Sequence, residues 1–385
     1  MRDEFLPFAP PFYDEREVAA VAEALRSGWI TTGPRTRDFE SRFAAACAAP
    51  AALGCSSCTA GLHLALLGAG VGPGDEVIVP SMTFCATANV VVHVGARPVI
   101  VDVCPTTLCI APAAIDAAMN ERTRAVMVVH YAGHPAELDA LQAVCRARGV
   151  TLIEDAAHAI GARYRGVAIG GAGNPAAFSF YATKNLATGE GGMLTGQPAL
   201  IERARLLALH GMSNDAWKRY DKAGSWQYDV PQPGFKYNMT DVQAALGLVQ
   251  LDKLPVMQAR RRAVAARYAA GLADCAAVSL PPCAGHVEHA WHLYVIRLRR
   301  TALCIDRDRF VEELRRRNIG ASVHFIPLHR QSYYRRACGV DAATCPQADA
   351  AFHEIVSLPL HPGLSDADCD DVIAAVHDVA REFRR

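Results

Sequence analysis

Short apolar segments alternate with amphipathic helical segments through about the first two thirds of this 385-residue chain. The segment Glu76–Pro80 follows a Gly-Pro-Gly turn and has the composition of a buried strand. Residues Ala136–Arg148 place Leu138, Leu141 and Cys145 on one helical face. Further strands are predicted at Pro98–Val103, Ala125–His130, Leu152–Asp155 and Ala177–Phe180, and a helix at Thr59–Leu67. This alternation predicts an α/β fold in which helices cover both faces of a mostly parallel sheet.

The first helix is predicted from the signals at its two ends. Asp14 and Glu17 have the spacing of a capping box, and apolar residues follow at helical intervals. Gly28 stands where a glycine commonly ends a helix.

The pattern changes after Gly196, where a loop rich in Trp, Tyr, Gly and Pro over Trp217–Phe235 leads into longer helical patterns. Helices are predicted at Thr240–Leu251, Pro255–Ala273, Asp308–Arg317 and Asp366–Val379, and strands at His292–Leu298 and Ala321–Phe325. We therefore predict a large domain with an N-terminal arm over residues 1–250 and a smaller α+β domain over residues 251–385.

Composition excludes several classes of protein. The 39 Lys and Arg residues balance the 39 Asp and Glu residues, which removes the electrostatic argument for a nucleic-acid or membrane-surface binder. No run approaches the ~20 apolar residues that a membrane span requires, and the N-terminus lacks the apolar run of a signal peptide. The 13 scattered cysteines suit reduced thiols, so we expect a cytoplasmic protein.

Two predicted strands end in residues that suit one cofactor. Leu152–Asp155 ends in a carboxylate, and Ala177–Phe180 contains Ser179 and runs into a loop with Lys184. Pyridoxal phosphate requires a lysine for its Schiff base and an acid that keeps its pyridine nitrogen protonated. Hydroxyl and N–H groups of Ser56–Ala60, at a predicted helix start, suit its phosphate. Residue types alone leave the simpler interpretation open, because most loop lysines are solvated and many strand-end aspartates cap helices.

Four sequence runs resemble the DegT/StrS family of sugar aminotransferases, which have fold type I of the pyridoxal-phosphate enzymes. These runs are GDEVIVPSMTFCATAN (Gly74–Asn89), EDAAHAIGARYRG (Glu154–Gly166), FSFYATKNLATGEGGML (Phe178–Leu194) and YNMTDVQAALGLVQLDKL (Tyr237–Leu254). The resemblance extends over nearly the whole chain, from Ser27 to Asp368.

The resemblance implies a role for each matching residue. Lys184 is the Schiff-base lysine, Asp155 the partner of the pyridine nitrogen and His158 a contact near the ring oxygen. Phe84 stacks on the ring. Cys58, Thr59, Ala60 and Ser179 form the phosphate cup, which Lys236 and Asn238 of a neighbouring subunit complete in a homodimer. Thr31, Tyr181, His324 and His329 bind substrate, although spacing alone favours ordinary buried histidines at the last two positions.

The chain departs from the family pattern in two places. Cys58 stands where a glycine is usual, and its Cβ could restrict close approach to the phosphate, which affects the expected cofactor affinity. The run Gly234–Asn238 reads Gly-Phe-Lys-Tyr-Asn in place of the common Gly-Tyr-Asn-Tyr-Arg. That variant, with GWITTGP, HAWHLYVI and SVHFIPLH, is similar to the branch of UDP-4-amino-4-deoxy-L-arabinose aminotransferase.

The implied reaction moves an amino group from L-glutamate to the keto group of a nucleotide-linked sugar in a ping-pong scheme. The expected acceptor is a 4-keto sugar on UDP or dTDP. A 3-keto sugar, a keto-cyclitol and a catalytically silent regulator remain alternatives, whereas Lys184 argues against the dehydratase branch, which has histidine there. No metal site is expected, because no second Cys or His pair accompanies Cys55 and Cys58.

Overall fold

The computed structural model describes residues 2–213 and 228–385. Residues 217–227 of the loop predicted at Trp217–Phe235 lie outside this described part. No helix in the described ranges combines the length and the apolar character needed to cross a membrane.

The described residues form twelve α-helices and thirteen strands. The helices are α1 (Glu15–Arg26), α2 (Pro34–Cys47), α3 (Cys58–Gly68), α4 (Ala86–His93), α5 (Pro112–Ala118), α6 (Leu138–Ala147), α7 (Pro198–Ala208), α8 (Asp241–Gly271), α9 (Arg307–Arg316), α10 (Ser332–Cys338), α11 (Pro346–Phe352) and α12 (Asp366–Glu382). The strands are β1 (Ala51–Cys55), β2 (Glu76–Pro80), β3 (Arg97–Val101), β4 (Thr123–Val129), β5 (Thr151–Asp155), β6 (Arg163–Tyr164), β7 (Val167–Ala168), β8 (Ala176–Ser179), β9 (Gly192–Gly196), β10 (Val278–Ser279), β11 (Val287–Glu288), β12 (Tyr294–Leu298) and β13 (Ile355–Leu358).

A seven-stranded sheet in the order β1-β9-β8-β5-β4-β2-β3 forms the centre of the molecule. The pairs β3–β2, β2–β4, β4–β5 and β5–β8 are parallel, whereas β9 runs antiparallel to both β8 and β1. The predicted α/β class with a mostly parallel sheet is therefore confirmed. Because β2, β4, β5 and β8 run the same way, their carboxyl ends meet at one edge of this sheet, where open α/β sheets bind ligands.

Two smaller sheets accompany the central one, β10-β12-β13 and β11-β6-β7. The buried apolar residues form two clusters, one around the central sheet and one around β12, β13, α9 and α12. Helix α8 contributes Ala244 and Leu251 to the first cluster and Val264 and Tyr268 to the second. The predicted domain boundary between residues 250 and 251 falls inside this helix and stays a prediction.

The two helices predicted on either side of Pro255 are one helix. Helix α8 runs through the proline for 31 residues, and the break expected there was wrong. Pro255 lies on an exposed face of the helix, so a distorted turn there meets solvent and not the core. The helix is also fixed at its start, where Thr240 and Gln243 form a capping box.

The strand predicted at Ala321–Phe325 was also wrong. Only Ser322 pairs with a strand residue, exchanging both backbone hydrogen bonds with Ser357 of β13 at 3.1 and 2.8 Å. Beyond this bridge the chain leaves the sheet edge and carries His324 and Phe325 to the cavity described below. Alternation of apolar residues does not distinguish a paired strand from such an extended segment.

The start of α1 has the capping box predicted from the sequence. The Asp14 carboxylate accepts the N–H of Arg16, and Glu17 accepts the N–H of Asp14 at 2.9 Å. Gly28, the residue after the C-cap Ser27, has φ of +74°, as its position predicted.

Glu17 also ties α1 to α8 through a buried ion pair. Its Oε1 accepts hydrogen bonds from Nε2 of Gln250 at 2.6 Å and from Nζ of Lys253 at 2.9 Å. The Glu17 and Lys253 side chains are only 2% and 4% exposed. Removing one partner of such a pair leaves an uncompensated buried charge.

We therefore expect Lys253→Met to lower the free energy of unfolding by about 3 kcal/mol, since Glu17 would lose its cation. The adjacent residue supplies a matched control, because Asp252 pairs with Arg42 in an exposed ion pair between α8 and α2. Asp252→Asn should change stability by about 0.5 kcal/mol. Urea unfolding followed by circular dichroism measures both variants, and equal losses would contradict the burial argument.

Candidate active site

A cavity of about 340 Å³ opens at the carboxyl edge of the central sheet. Many of the predicted site residues line it: Cys58, Thr59, Phe84, Asp155, His158, Ser179, Tyr181, Lys184 and His324. They come from separate parts of the sequence, and the parallel topology brings them together.

The start of α3 forms one wall of the cavity and suits an anion. Ser57 caps this helix by accepting the N–H of Ala60 at 3.1 Å, and the N–H of Gly61 bonds to the Ser57 carbonyl. The first N–H groups, those of Cys58 and Thr59, have no partner within a helix. They point out of a positive helix end, which is a favourable place for a phosphate.

Glycine at position 192 allows β9 to pass directly behind this helix start. A Cβ at Gly192 would lie 2.5 Å from the backbone nitrogen of Cys58 and 2.7 Å from the carbonyl oxygen of Phe178. Any side chain there would displace the helix start from the sheet. The last glycine of the GEGG run, Gly192, therefore lets β9 pack directly against the helix start that forms the anion site.

Asp155 ends β5 and is almost completely buried. Its Oδ2 accepts a hydrogen bond from Oγ1 of Thr87 at 2.8 Å, and its Oδ1 accepts the N–H of Ala157 at 3.2 Å. Burial raises the pKa of this carboxyl, and the hydrogen bonds together with the nearby Lys184 oppose that rise. The carboxylate is thus held in one orientation at the floor of the cavity.

Lys184 lies in the turn after β8, where its N–H bonds to the carbonyl of Tyr181 at 2.8 Å. Burial among the cavity walls lowers the pKa of its ammonium group to about 8, while Cys58 and Asp155 act in the opposite direction. A lysine whose neutral form exists near physiological pH can act as a nucleophile and a base.

His158 lies between two other rings. Its imidazole packs against that of His292 with the centroids 4.3 Å apart and stacks on Phe325 at 5.7 Å. Burial lowers the pKa of His158 well below its usual value, so the ring is neutral. Its Nδ1 is buried without a hydrogen-bond partner among the described residues, which leaves it free for a bound molecule.

Phe84 and Tyr181 stand at the open side of the cavity. Phe84 is 58% exposed, and its ring centroid lies 5.9 Å from that of Phe325. Tyr181 is 49% exposed and its N–H points at Oγ of Ser179, 3.4 Å away. Both aromatic rings are available for contact with a flat ligand or with another subunit.

The side chain of Cys58 turns away from the helix start. Its Sγ bonds to the carbonyl of Ala177 at 3.3 Å and lies 3.9 Å from Oδ1 of Asp155. Burial raises the pKa of this thiol far above its usual value, so it stays neutral. The side chain of Cys58 is therefore directed toward β8.

The comparisons with known proteins agree with this geometry. Residues 11–377 match the DegT/DnrJ/EryC1/StrS aminotransferase family. The chain is 46% identical over 382 residues to the spore coat polysaccharide biosynthesis protein SpsC of Bacillus subtilis, covering 99% of this chain and 98% of that one. This chain belongs to the DegT/DnrJ/EryC1/StrS aminotransferase family.

Solved structures of similar proteins support the assignment of this chain to that aminotransferase family. The sugar aminotransferase Spr1654 of Streptococcus pneumoniae, in its PMP form, has a TM-score of 0.93 and 36% identity over 98% of this chain and 99% of its own. The aminotransferase TlmJ of Streptoalloteichus hindustanus has a TM-score of 0.90 and 38% identity over 98% and 99% of the two chains. The predicted fold type I architecture is confirmed by these likenesses.

The residues of the cavity fit pyridoxal phosphate. The start of α3 offers N–H donors for a phosphate, and Asp155 and Lys184 line the same cavity with an ionisable oxygen and an amine. The unpartnered Nδ1 of His158 is one polar atom that a bound ring oxygen could satisfy. Phe84 supplies an aromatic face at the same cavity.

Four predicted residues lie outside the cavity of this aminotransferase. Ala60 lies in the first turn of α3 and serves the capping hydrogen bond. Lys236 donates to Oδ1 of Asn238 at 2.6 Å, and Asn238 donates to Oγ1 of Thr32 at 2.7 Å. Thr31 accepts the N–H of Asp241 through its carbonyl. The last three therefore form a cluster next to the start of α8.

His329 is likewise outside the cavity, and a direct substrate contact does not agree with its position. It is 1% exposed, and both ring nitrogens are occupied, Nδ1 by Oγ of Ser81 at 2.7 Å and Nε2 by Oδ1 of Asp349 at 2.9 Å. His329 thus links the end of β2 to α11, as an ordinary buried histidine does. His324, in contrast, lines the cavity and is held by Oγ of Ser357 at 2.9 Å.

Several residues that contribute to the cavity were not predicted from the sequence: Thr83, Thr87, Thr183, Glu190, His292 and Phe325. Thr83 and Thr87 flank the aromatic Phe84 at a spacing of one helical turn, which was a usable signal. His292 was assigned only to a strand, although it precedes β12 and its Nδ1 lies 3.2 Å from Oδ1 of Asn185.

We expect Lys184 in the cofactor-free protein to react with an acylating reagent along a pH profile with its midpoint near 8, because the pKa of its ammonium group is lowered. Below that pH the amine is protonated and does not react, whereas the pKa of an ordinary lysine is about 10.4. Peptide mass spectrometry after brief labelling at several pH values measures this midpoint. A midpoint near that of ordinary lysines would identify Lys184 as a solvated surface lysine.

Proposed function

We propose that this aminotransferase depends on pyridoxal phosphate and moves an amino group from L-glutamate to the keto group of a nucleotide-linked sugar. The acceptor is a 4-keto sugar on UDP or dTDP. One observation carries the proposal: Lys184, Asp155 and His158 share one cavity with an open helix start. The likeness to sugar aminotransferases and to SpsC supports a sugar acceptor.

Several groups of the cavity would hold the cofactor. The N–H groups at the start of α3 and the hydroxyl of Ser179 would receive its phosphate. Asp155 would pair with the protonated pyridine nitrogen, and Phe84 would offer an aromatic face to the ring. When bound, pyridoxal phosphate supplies an electron sink that stabilises negative charge at the reacting carbon.

Lys184 moves the proton in both half-reactions. Because the pKa of its ammonium group is about 8, a useful fraction of Nζ is neutral at physiological pH and can take a proton from the α-carbon of glutamate. In the second half-reaction the same atom returns a proton to the sugar carbon. The neutral imidazole of His158 and the rings of Phe325 and His292 keep water from this side of the cavity.

Tyr181 and His324 face the part of the cavity where substrate would enter. Burial and the nearby Lys184 lower the pKa of His324 to about 4, so its ring is neutral at physiological pH and acts as a hydrogen-bonding group. Neutral donors and acceptors of this kind suit sugar hydroxyls. The choice among sugars therefore depends on hydrogen-bond geometry at this entrance.

The cluster of Thr31, Lys236 and Asn238 supports a homodimer with shared sites. Two exposed apolar side chains, Trp29 and Ile30, adjoin it in the chain, at 41% and 53% exposure. Exposed apolar groups bordered by polar residues are typical of subunit interfaces. In such a dimer Lys236 and Asn238 complete the phosphate site of the partner subunit.

We place the enzyme in the cytoplasm. All 13 cysteines are free thiols, which suits a reducing compartment.

Lys184→Ala should abolish turnover while the circular dichroism spectrum stays that of the wild type. The wild-type enzyme with pyridoxal phosphate should show the visible absorption of a lysine-bound cofactor and lose it on addition of L-glutamate, because the amino group passes to the cofactor. Lys184→Arg is the matched control, since it keeps a cation but cannot form the covalent bond. Residual turnover by either variant would refute the role of Lys184.

Incubating the glutamate-treated enzyme with keto sugars identifies the sugar that accepts the amino group. Mass spectrometry should find an aminated product with a 4-keto UDP- or dTDP-sugar. Amination of only a 3-keto sugar or a keto-cyclitol would select those alternatives.

A mixture of two inactive homodimers should regain activity if sites are shared. Lys184→Ala and the double variant Lys236→Ala/Asn238→Ala are each expected to lose at least about tenfold in rate. Random re-association of equal amounts should restore about a quarter of wild-type activity, because half of the dimers then contain one intact site. No recovery, with size-exclusion chromatography showing exchanged dimers, would show that each chain forms its own site.

A further inference from the structure

Two buried threonines connect the aromatic side of the cavity to Asp155. Oγ1 of Thr83 lies 2.7 Å from Oγ1 of Thr87, and Thr87 lies 2.8 Å from Oδ2 of Asp155. Both threonines are at most 1% exposed. Thr83 directly precedes Phe84, and Thr87 lies on α4.

An ionised Asp155 sets the direction of the hydroxyl hydrogens, because it can only accept. A hydroxyl has one hydrogen to donate, and Thr87 gives its hydrogen to the carboxylate of Asp155. Thr83 must then be the donor in its contact with Thr87. This direction is the one that accompanies an ionised Asp155, and a hydrogen bond to an ionised acceptor is stronger than one to a neutral acceptor.

We propose that Thr83 and Thr87 are positioning residues that hold Asp155 ionised and oriented toward the pyridine nitrogen of the cofactor. This rests on the proposed function, which assigns Asp155 to that nitrogen. The two threonines act through Asp155 and do not themselves contact the cofactor ring nitrogen. They also connect the orientation of the carboxylate to the segment that carries Phe84.

The other groups around Asp155 contribute less than the threonine hydroxyls to keeping its carboxylate ionised and oriented. From α3 it faces Cys58, whose thiol is neutral, and from the loop after β8 it faces the cation of Lys184. From the end of β4 it faces His130, whose Nδ1 accepts the N–H of Ala136 and whose Nε2 bonds to Glu154. Burial disfavours the ionised carboxyl, and Thr87 opposes that effect most strongly among the hydrogen-bonding groups.

Thr87→Val tests the proposal, since valine keeps the shape of threonine and lacks the hydroxyl. The dissociation constant for pyridoxal phosphate, measured by equilibrium dialysis, should rise about tenfold at neutral pH. Loss of the hydrogen bond raises the pKa of Asp155 further, so the carboxyl gains a proton as the pH falls. The affinity deficit should therefore grow from pH 8 to pH 6, and Thr87→Ser should restore wild-type behaviour.

A second variant covers the case in which Thr87→Val does not fold. Thr83→Val leaves the bond between Thr87 and Asp155 but removes the donor behind it, and it should raise the dissociation constant about threefold with the same pH trend. Wild-type affinity at every pH, or a deficit equal at all pH values and unrelieved by Thr87→Ser, would overturn the proposal. Asp155→Asn distinguishes a failure of the threonine proposal from a failure of the proposed function. If it binds cofactor as tightly as the wild type, the assignment of Asp155 in the proposed function fails.

Discussion

The cavity depends on one buried carboxylate, that of Asp155 at the end of β5. Its oxygens contact α4 through Thr87, the following loop through Ala157 and α3 through Cys58. Such a charge is costly inside a protein unless hydrogen bonds and counter-charges surround it. The segments that supply them are the ones that carry the helix start, Phe84 and Lys184, so stabilising the carboxylate also assembles the remaining groups of the site.

The central sheet could be predicted because burial on both faces gives parallel strands uninterrupted apolar sequences. Glu76–Pro80 was predicted with the bounds that the structure has. The errors arose where tertiary structure decides against a local preference. An exposed Pro255 fits inside a long helix that is held by packing on other faces. Ala321–Phe325 pairs with β13 only at Ser322 and then carries His324 and Phe325 to the cavity.

The residues of the candidate site could be predicted from the sequence to about the same extent as the fold. Strand ends and the family resemblance placed Lys184, Asp155 and His158 at one edge of the sheet, and the structure brings all three to the same cavity. Thr87 flanks the predicted Phe84, but its contact with Asp155 spans 68 residues of sequence, a distance over which spacing carries no information. The burial of His329 depends on Ser81 and Asp349, which lie 248 and 20 residues away from it in the chain.

The surface cluster and the cavity are not independent of each other. The N–H of Ser56 bonds to the carbonyl of Tyr237 at 2.7 Å, and Cys55 of β1 forms an antiparallel bridge with Asn238. Ser56 directly precedes the residue that caps α3, so one strand end sets the position of both the helix start and the segment with Lys236. If that segment serves the partner subunit, the anion sites of the two subunits are connected through β1.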